Sequence, residues 1–509
     1  MKSVFSKVLT SVFIVVFLGS CTKSVVYLSP EETGRYSALN RVLVEKTDGE
    51  TIELRNVKIE NQTLVGTMQK QGQVKLDFPS IKSVRIEKKN SGLAYVYAGA
   101  GLVLAWLIIG ASTAPSPPPV ESCPFIYTDD GDSYHLDAEP FGAALCEGQK
   151  RADWTAMEHL AAVDGAYRVR VANELEETQY TDELRLLVVD HPAGLRVVPD
   201  TAGGLHTISS PQNLRAARDS NGTDITSVLS RKDCVTWQTD LDRVDPEVRE
   251  SLREELTLEF PKPPGAKTAK LLVNASTSLW GAQMGKRFLG LHGDALQDCY
   301  AEVNRHGPAY FQTMSWHLSE EMYLLQIRVL TESGWKTRGT IYGGGPFVSS
   351  DKAYALDVAD VPGDSLTIRL TPPANFWSID YLAVDYSADV PVSVIEVEPD
   401  VSADQKSCDV AARLKTTDGS YLVMPEGCEP AEVTFSVPPM SPRTARTVIL
   451  KASGYYDVHV ETAGVRPRTD ILQKFATEPG SAIRFTMNEY LEWKAEQDAN
   501  QRPVQKHGN

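Results

Sequence analysis

Beyond residue 40 the chain is written largely in a two-residue period. In RVLVEKTDGETIELRNVKIENQTLVGTMQKQGQVKLDFPSIKSVRIEKK, residues 41–89, apolar and polar side chains alternate in short runs. The runs are broken at Asp48-Gly49, Asn61-Gln62, Gln71-Gly72 and Pro79-Ser80. Successive side chains of a strand face opposite ways, so such a run buries one face only when extended. Gly, Asn and Pro supply the turns between. Five such strands in a short stretch predict a small SH3-like or Sm-like barrel over residues 41–90, suited to spacing or protein contact.

The same pattern returns further on. Strands are expected at 256–260, 270–275, 323–331, 335–342, 354–358, 366–370 and 379–386, punctuated by Val361-Pro362-Gly363-Asp364 and Thr371-Pro372-Pro373-Ala374. Many short alternating strands with Pro/Gly turns imply a sandwich. The layout of residues 255–392 resembles galactose-binding-like jelly rolls. A helical stretch, AQMGKRFLGLHGDALQDCYAEVNR, interrupts it after the second strand. LTLEFPKPPGAKTAKLLVNAS (256–276) is echoed by VTFSVPPMSPRTARTVILKAS (433–453): strand, Pro-rich turn, Thr-Ala-basic triplet, apolar strand, Ala-Ser. The echo implies two related units, the later one completed by other segments. Between the barrel and the sandwich, residues 122–254 read as β-rich. A hairpin turns at Asp130-Gly131, strands lie at 167–171 and 184–189, and ELEETQYTDE reads as an acidic connection between them. A helix is expected over 242–255, with Asp245 as N-cap and Pro246 in its first turn. Residues 393–483 form a C-terminal β unit, and 484–509 a terminal helix and tail. The fold class is therefore mainly β, with few helices.

The N-terminus states an address. MKSVFSKVLTSVFIVVFLGSC has a positive start at Lys2 and Lys7 and an apolar run from Val8 to Leu18, too short to span a bilayer. Leu18-Gly19-Ser20-Cys21 resembles the lipobox of bacterial lipoproteins. The resemblance implies a signal peptide at 1–20, acylation of Cys21 with palmitate-type chains, and a tether over 21–40. Several chains on one residue anchor firmly, and Thr22 in place of Asp points to the outer membrane. Residues 91–113, SGLAYVYAGAGLVLAWLIIGAST, are uncharged and long enough to span as a helix, and 114–121 is a Pro-rich linker. The basic residues before this segment favour a cytoplasmic flank, while the lipobox places that flank outside. The lipobox is preferred, which leaves the segment to pack into the outer membrane or against a partner. SCPFIYTDDGDSYHLDAEPFGAALC and VANELEETQYTDELRLLVVDHPAGLRVVPD resemble an uncharacterised family of bacterial envelope lipoproteins, which supports the domain order and says nothing of chemistry.

Export makes cysteine usage informative. Setting Cys21 aside leaves Cys123, Cys146, Cys234, Cys299, Cys408 and Cys428, an even number that permits three bridges. Reflecting Cys408 about an Asp418-Gly419 hairpin turn lands beside Cys428, making this the first pairing expected. Cys123 with Cys146 follows from proximity, and Cys234 with Cys299 is the remainder. No C-x-x-C, G-x-S-x-G or H-E-x-x-H occurs. Asp129, Asp130 and Asp132 crowd one turn, which either is a solvated hairpin or offers oxygens to Ca²⁺. No other cofactor is implied. Glu174, Glu176, Glu177, Asp182 and Glu183 read as a solvated acidic loop. Trp280, Trp316, Trp335 and Trp377, with Phe376 and Tyr381, are either core residues or a stacking platform for sugars. With 51 Lys and Arg against 67 Asp and Glu, a formal charge of −16, nucleic acid is disfavoured as a partner. The expectation is a lipid-anchored envelope protein whose sandwich modules bind protein or glycan without catalysis. The alternative is a carbohydrate-active enzyme or an accessory subunit of a glycan-processing system.

Overall fold

A computed structural model describes residues 24–28, 39–46, 51–60, 63–68, 72–77, 81–88, 124–241, 244, 252–400, 405–440 and 444–501. The expected signal peptide at 1–20, Cys21, the apolar segment 91–113, the Pro-rich stretch 114–121 and Cys123 lie outside them. The protein is mainly β and divides into two compact units. No helix among the described residues is long and apolar enough to cross a membrane.

The first unit is a six-stranded antiparallel sheet: β1 (Ser24–Leu28), β2 (Leu39–Lys46), β3 (Thr51–Glu60), β4 (Thr63–Met68), β5 (Gly72–Asp77) and β6 (Ile81–Lys88). Its order is β1-β6-β2-β3-β4-β5. The meander β2–β5 follows the alternation, with Val44, Ile52, Leu54, Val65 and Leu76 buried. β6 returns beside β2, the strand order a small barrel needs. The segment expected to be a tether contributes β1, which pairs along β6 from Ser24 opposite Lys88 to Leu28 opposite Val84.

The second unit begins with β7 (Phe125–Asp129), β8 (Tyr134–Ala138), β9 (Arg151–Ala156), β10 (Ala166–Ala172) and the long β11 (Glu177–Pro192). A hairpin follows, β12 (Arg196–Pro199) and β13 (Leu205–Ile208). Next come β14 (Gln212–Asn213), β15 (Ala216–Arg218), the single turn α1 (Thr226–Leu229), β16 (Leu256–Pro261) and β17 (Thr268–Thr277). Three helices are inserted: α2 (Leu279–Gly290), α3 (Leu296–Asn304) and α4 (Pro308–Glu320). The sheet resumes with β18 (Leu324–Thr331), β19 (Gly334–Tyr342), β20 (Ser350–Asp357), β21 (Ser365–Leu370) and β22 (Trp377–Asp385). β23 (Ser393–Val397), α5 (Gln405–Arg413), β24 (Leu422–Met424), β25 (Ala431–Ser436), β26 (Thr444–Val458), α6 (Thr469–Thr477) and α7 (Ser481–Gln501) complete it.

These strands make two sandwiches of one topology. The first pairs a sheet β25-β10-β7-β8 with a sheet β23-β11-β26-β9, and β24 also pairs β11. The second pairs β15-β16-β21-β18-β19 with β14-β22-β17-β20. Substituting β16 for β25, β21 for β10, β18 for β7 and β19 for β8 turns one order into the other. The opposing sheets match in the same way, with β14, β22, β17 and β20 standing for β23, β11, β26 and β9. The echo is the visible part of this. Its first strand lies in one sheet, its Pro-rich turn crosses over, and its second strand is central in the other. The chain order differs, however. β7–β11 are completed by β23–β26 from the far end, and the whole second sandwich is threaded between. The C-terminal β unit is thus the missing half of the first sandwich.

Register makes the equivalence quantitative. Ile449 stands between Leu187 and Ala156, and Leu272 stands between Ala383 and Ala353. Both triplets face outward, and one hairpin covers both. Val197 of β12 packs on Leu187, Val189 and Ile449, while Val198 and Ile208 pack on Leu272, Ala353 and Ala383. Adjacent residues of a strand face opposite ways, so β12–β13 is a wedge holding the two sandwiches together. The helices add a second tie. Met284 of α2 and Met487 of α7 belong to the second core, while Leu289, Leu296, Tyr300 and Val303 belong to the first.

Several expectations are corrected. Glu174 and Glu176 are exposed ahead of β11, but the rest of the acidic stretch is in that strand, and Glu177, Asp182 and Glu183 are buried. The charges of the last two are matched: Asp182 accepts from Lys150 at 2.8 Å, and Glu183 meets Lys451 at 2.8 Å and Arg185 at 3.3 Å. The helix expected over 242–255 falls mostly outside the described residues. Its final residues are not helical, since Leu252 has φ +49° and Arg253 bridges Pro373. Cys408 lies on α5, so no hairpin reflects it onto Cys428. Asp418-Gly419 instead joins a helix to β24 and donates both amides to Asp182. Cys146, Cys299 and Cys428 carry thiols, so none of the three expected bridges forms among the described residues. Burial pushes the Cys146 thiol up to about 11, and the neighbouring Cys299 adds to it.

Candidate functional site

The equivalent edge strands β9 and β20 meet where the sandwiches join, and a cavity of about 210 Å³ opens there. β9 contributes Arg151, Asp153 and Thr155, β20 contributes Ser350, Lys352 and Tyr354, and β17 and β19 supply an apolar floor of Val273, Ala275 and Ile341. Thr201, in the turn of the wedge hairpin, reaches its rim. Alternation explains the lining. The spacing i, i+2 puts Arg151 and Asp153 on one side of β9, and Ser350, Lys352 and Tyr354 on one side of β20. Asp351 between them faces the other way, to Lys232 at 3.1 Å, Asn274 at 2.7 Å and Arg196.

The cavity's charges are mutually matched. Lys352 Nζ lies 3.1 Å from Asp153 and also donates to the Trp154 carbonyl. Arg151 lies 3.5 Å from Asp153, donates to the Gly343 carbonyl at 3.2 Å, and sits 5.7 Å from the Tyr342 ring centre. Burial alone would raise the Asp153 carboxyl, but Lys352 and Arg151 outweigh it and hold it below the usual carboxylate range. Glu139, also buried, accepts the backbone amides of Phe347 at 2.7 Å and Val348 at 2.6 Å. The loop can approach it only as glycine: a Cβ on Gly345 would stand 2.5 Å from that carboxyl carbon. Arg151 Nε is buried without a hydrogen-bond partner, and the buried Tyr354 hydroxyl lies against the Tyr342 backbone.

A second polar cluster lies on the β7–β8 hairpin. His135 meets Asp130 at 2.7 Å, His159 meets Asp137 at 3.1 Å, and the two rings stack with centroids 4.8 Å apart. Asp137 also accepts from Thr128 and from the amides of Glu158 and His159.

The structure disperses most residues singled out from sequence. Asp129 accepts the Gly131 amide and pairs with Arg168 at 3.2 Å, while Asp130 turns to His135. Among the described residues no three His, Cys, Asp or Glu are grouped to hold a metal ion. Trp377 is buried and donates to the Glu321 carbonyl at 3.1 Å. Trp280 and Trp316 pack against the second core, on α2 and α4. Trp335 lies under the Arg369 guanidinium at 4.0 Å. These rings form no common platform. The sequence reading passed over Arg151, Asp153, Lys352 and Tyr354. Their only local signal is the charged i, i+2 spacing beside the Gly343-Gly344-Gly345 run, which becomes meaningful when β9 and β20 are adjacent.

No protein-family model matches the chain, and no curated protein matches it.

Proposed function

We propose that the chain is a lipid-anchored protein of the cell envelope, held through Cys21 in the outer membrane. Its paired sandwiches form a non-catalytic module that binds a glycan or a protein. The observation supporting binding over catalysis is the state of the cavity's ionisable groups. Asp153 is held anionic by two cations and Glu139 is committed to two backbone amides, whereas a general acid needs a pKa raised toward the working pH. The enzymatic alternative draws on the same two carboxylates, since paired acids at one cavity are what glycoside hydrolysis uses. The detergent-solubilised full chain, applied to a glycan array and assayed for turnover on the glycans it retains, tests the choice. The expected outcome is retention without hydrolysis. Hydrolysis that disappears in both Glu139→Gln and Asp153→Asn favours the alternative. Labelling with tagged palmitate, present in the wild type and lost in Cys21→Ala, tests the anchor separately.

A further inference from the structure

Resting on the envelope reading above, we infer that Cys146 and Cys299 join as a disulfide once the folded chain meets an oxidant, a pairing that spacing in the sequence did not suggest. The bond staples the connection between β8 and β9 to α3. Backbone packing carries this. Gly148 in that connection lies directly on the end of α3. Its amide donates to the Asn304 side chain at 2.7 Å, and its carbonyl accepts from His306 Nε2 at 2.8 Å. A Cβ on Gly148 would stand 2.6 Å from the Val303 carbonyl oxygen, so the two backbones touch.

One stripe of α3 faces the first core, where Leu296, Tyr300 and Val303 are buried together with Cys146. Cys299 shares that stripe, three residues after Leu296 and four before Val303, one helical turn from the Gly148 contact. Cys146 stands two residues before Gly148 on the other side of the same seam. Their mutual influence agrees, since a negative charge on Cys299 pushes the Cys146 thiol further up. The contact from Cys146 Sγ to Gln149 Oε1, at 3.8 Å, is long, and a thiol is a weak donor, so little is lost when it turns to Cys299.

The oxidant is a small disulfide such as oxidised glutathione. Cys299, the less buried of the two, loses its proton, attacks one glutathione sulfur and releases the other half as a thiolate. Cys146 then loses its proton, attacks Cys299 Sγ and displaces the second glutathione. Two thiols give up two protons, and two electrons pass to the glutathione disulfide. Cys146 is buried, but it has to meet only its neighbour. The closed loop contains β12–β13, so the bond fastens covalently what that wedge holds by packing.

The test reduces the detergent-solubilised full chain, removes the reductant and adds oxidised glutathione. Digestion without reduction uses trypsin and chymotrypsin, whose cuts after Tyr127 and Phe141 separate Cys123 from Cys146, and mass spectrometry maps the linked peptides. Expected is a Cys146–Cys299 pair in most molecules. Oxidation should also slow hydrogen exchange at residues 144–150 and 296–304 in wild type and not in Cys299→Ser; equal slowing in both overturns the pairing. Protein that is folded by circular dichroism yet keeps Cys146 free, or joins it to Cys123 or to Cys428, which packs on the same core, overturns the pairing and leaves the envelope reading intact. The same map, made on chain taken from cells with thiols blocked at lysis, tests the compartment. A bond that forms in vitro and is absent there supports the pairing and overturns the envelope reading.

Discussion

Asp182 and Asp380 are each the extra residue where a long central strand slips register against its neighbour. Thr181 and Glu183 are opposed by Gly454 and Ser453, and Tyr381 and Ile379 by Asn274 and Ala275. A bulged residue leaves the ladder, and here its carboxylate closes a nearby loop. Asp182 takes the amides of Asp418 and Gly419, and Asp380 those of Cys234 and Asp233. Acids in a polar-looking stretch are thus internal loop fasteners, a role no local composition reveals. His317 is the opposite case, a half-buried ring between Trp316 and Tyr323 whose Nδ1 has no partner. Burial lowers its pKa from 6.5 to about 4. Between those values the unfolded chain binds a proton that the folded chain does not, so stability falls as pH drops from 6.5 to 4 and levels off below. The loss attributable to this ring is on the order of 2 kcal/mol, discounted for partial exposure. Urea melts across that range should show a shallower pH slope in His317→Gln than in wild type.

At the scale of elements, the hairpin β12–β13 has the most consequence for its size. It pairs only within itself, yet it presents Val197 to one sandwich and Val198 with Ile208 to the other. Its turn is held by Asp200, which accepts the amides of Ala202 and Gly204 at 2.8 and 2.7 Å. The base is clasped through Thr207 and His206 to Asp389. Ile208→Ala should cost about 3 kcal/mol, the usual result of deleting a fully buried branched side chain. It should also raise hydrogen exchange along β9 and β20, the edges the wedge brings together. A stability loss confined to the hairpin, with β9 and β20 still protected, contradicts the wedge. The sequence carried strands β16–β19, β21 and β22 within a residue or two, because their faces alternate and Pro or Gly ends them, but it started β20 four residues late. It missed the length of β11, because Glu177, Asp182 and Glu183 break the apolar pattern and two cations that pair with Asp182 and Glu183, Lys150 and Lys451, lie elsewhere in the chain. Cys408 was misread for a related reason. A turn signal specifies a reversal but not what stands on either side of it, and here a helix precedes.

Over the whole molecule, the first sandwich is closed by strands more than 200 residues from those they join, with β26 running along β11 from Glu177 opposite Val458 to Pro192 opposite Thr444. Its stability is therefore tied to an intact C-terminus, while the second sandwich draws its β strands from 212–385. A chain ended after residue 392 lacks β23 to β26 and exposes both edges of β11. Hydrogen-exchange mass spectrometry should find residues 125–192 unprotected and residues 256–385 substantially protected. Protection retained in both regions refutes the nested pairing. This connectivity also places the cavity, because β9 and β20, corresponding edges of the two sandwiches, meet at the junction.

Alternation, turn residues and the echo at 256–276 and 433–453 sufficed to establish from the sequence a mainly β chain of sandwich modules with a repeated unit. Each of these is a local property, since strand period and turn conformation depend on neighbouring residues alone. Which half completes which sandwich, which acids are buried, and where a cavity opens were decided only by the tertiary structure. Those outcomes depend on residues brought together across hundreds of positions, and two strands of equal pattern pair equally well on local grounds until packing selects between them.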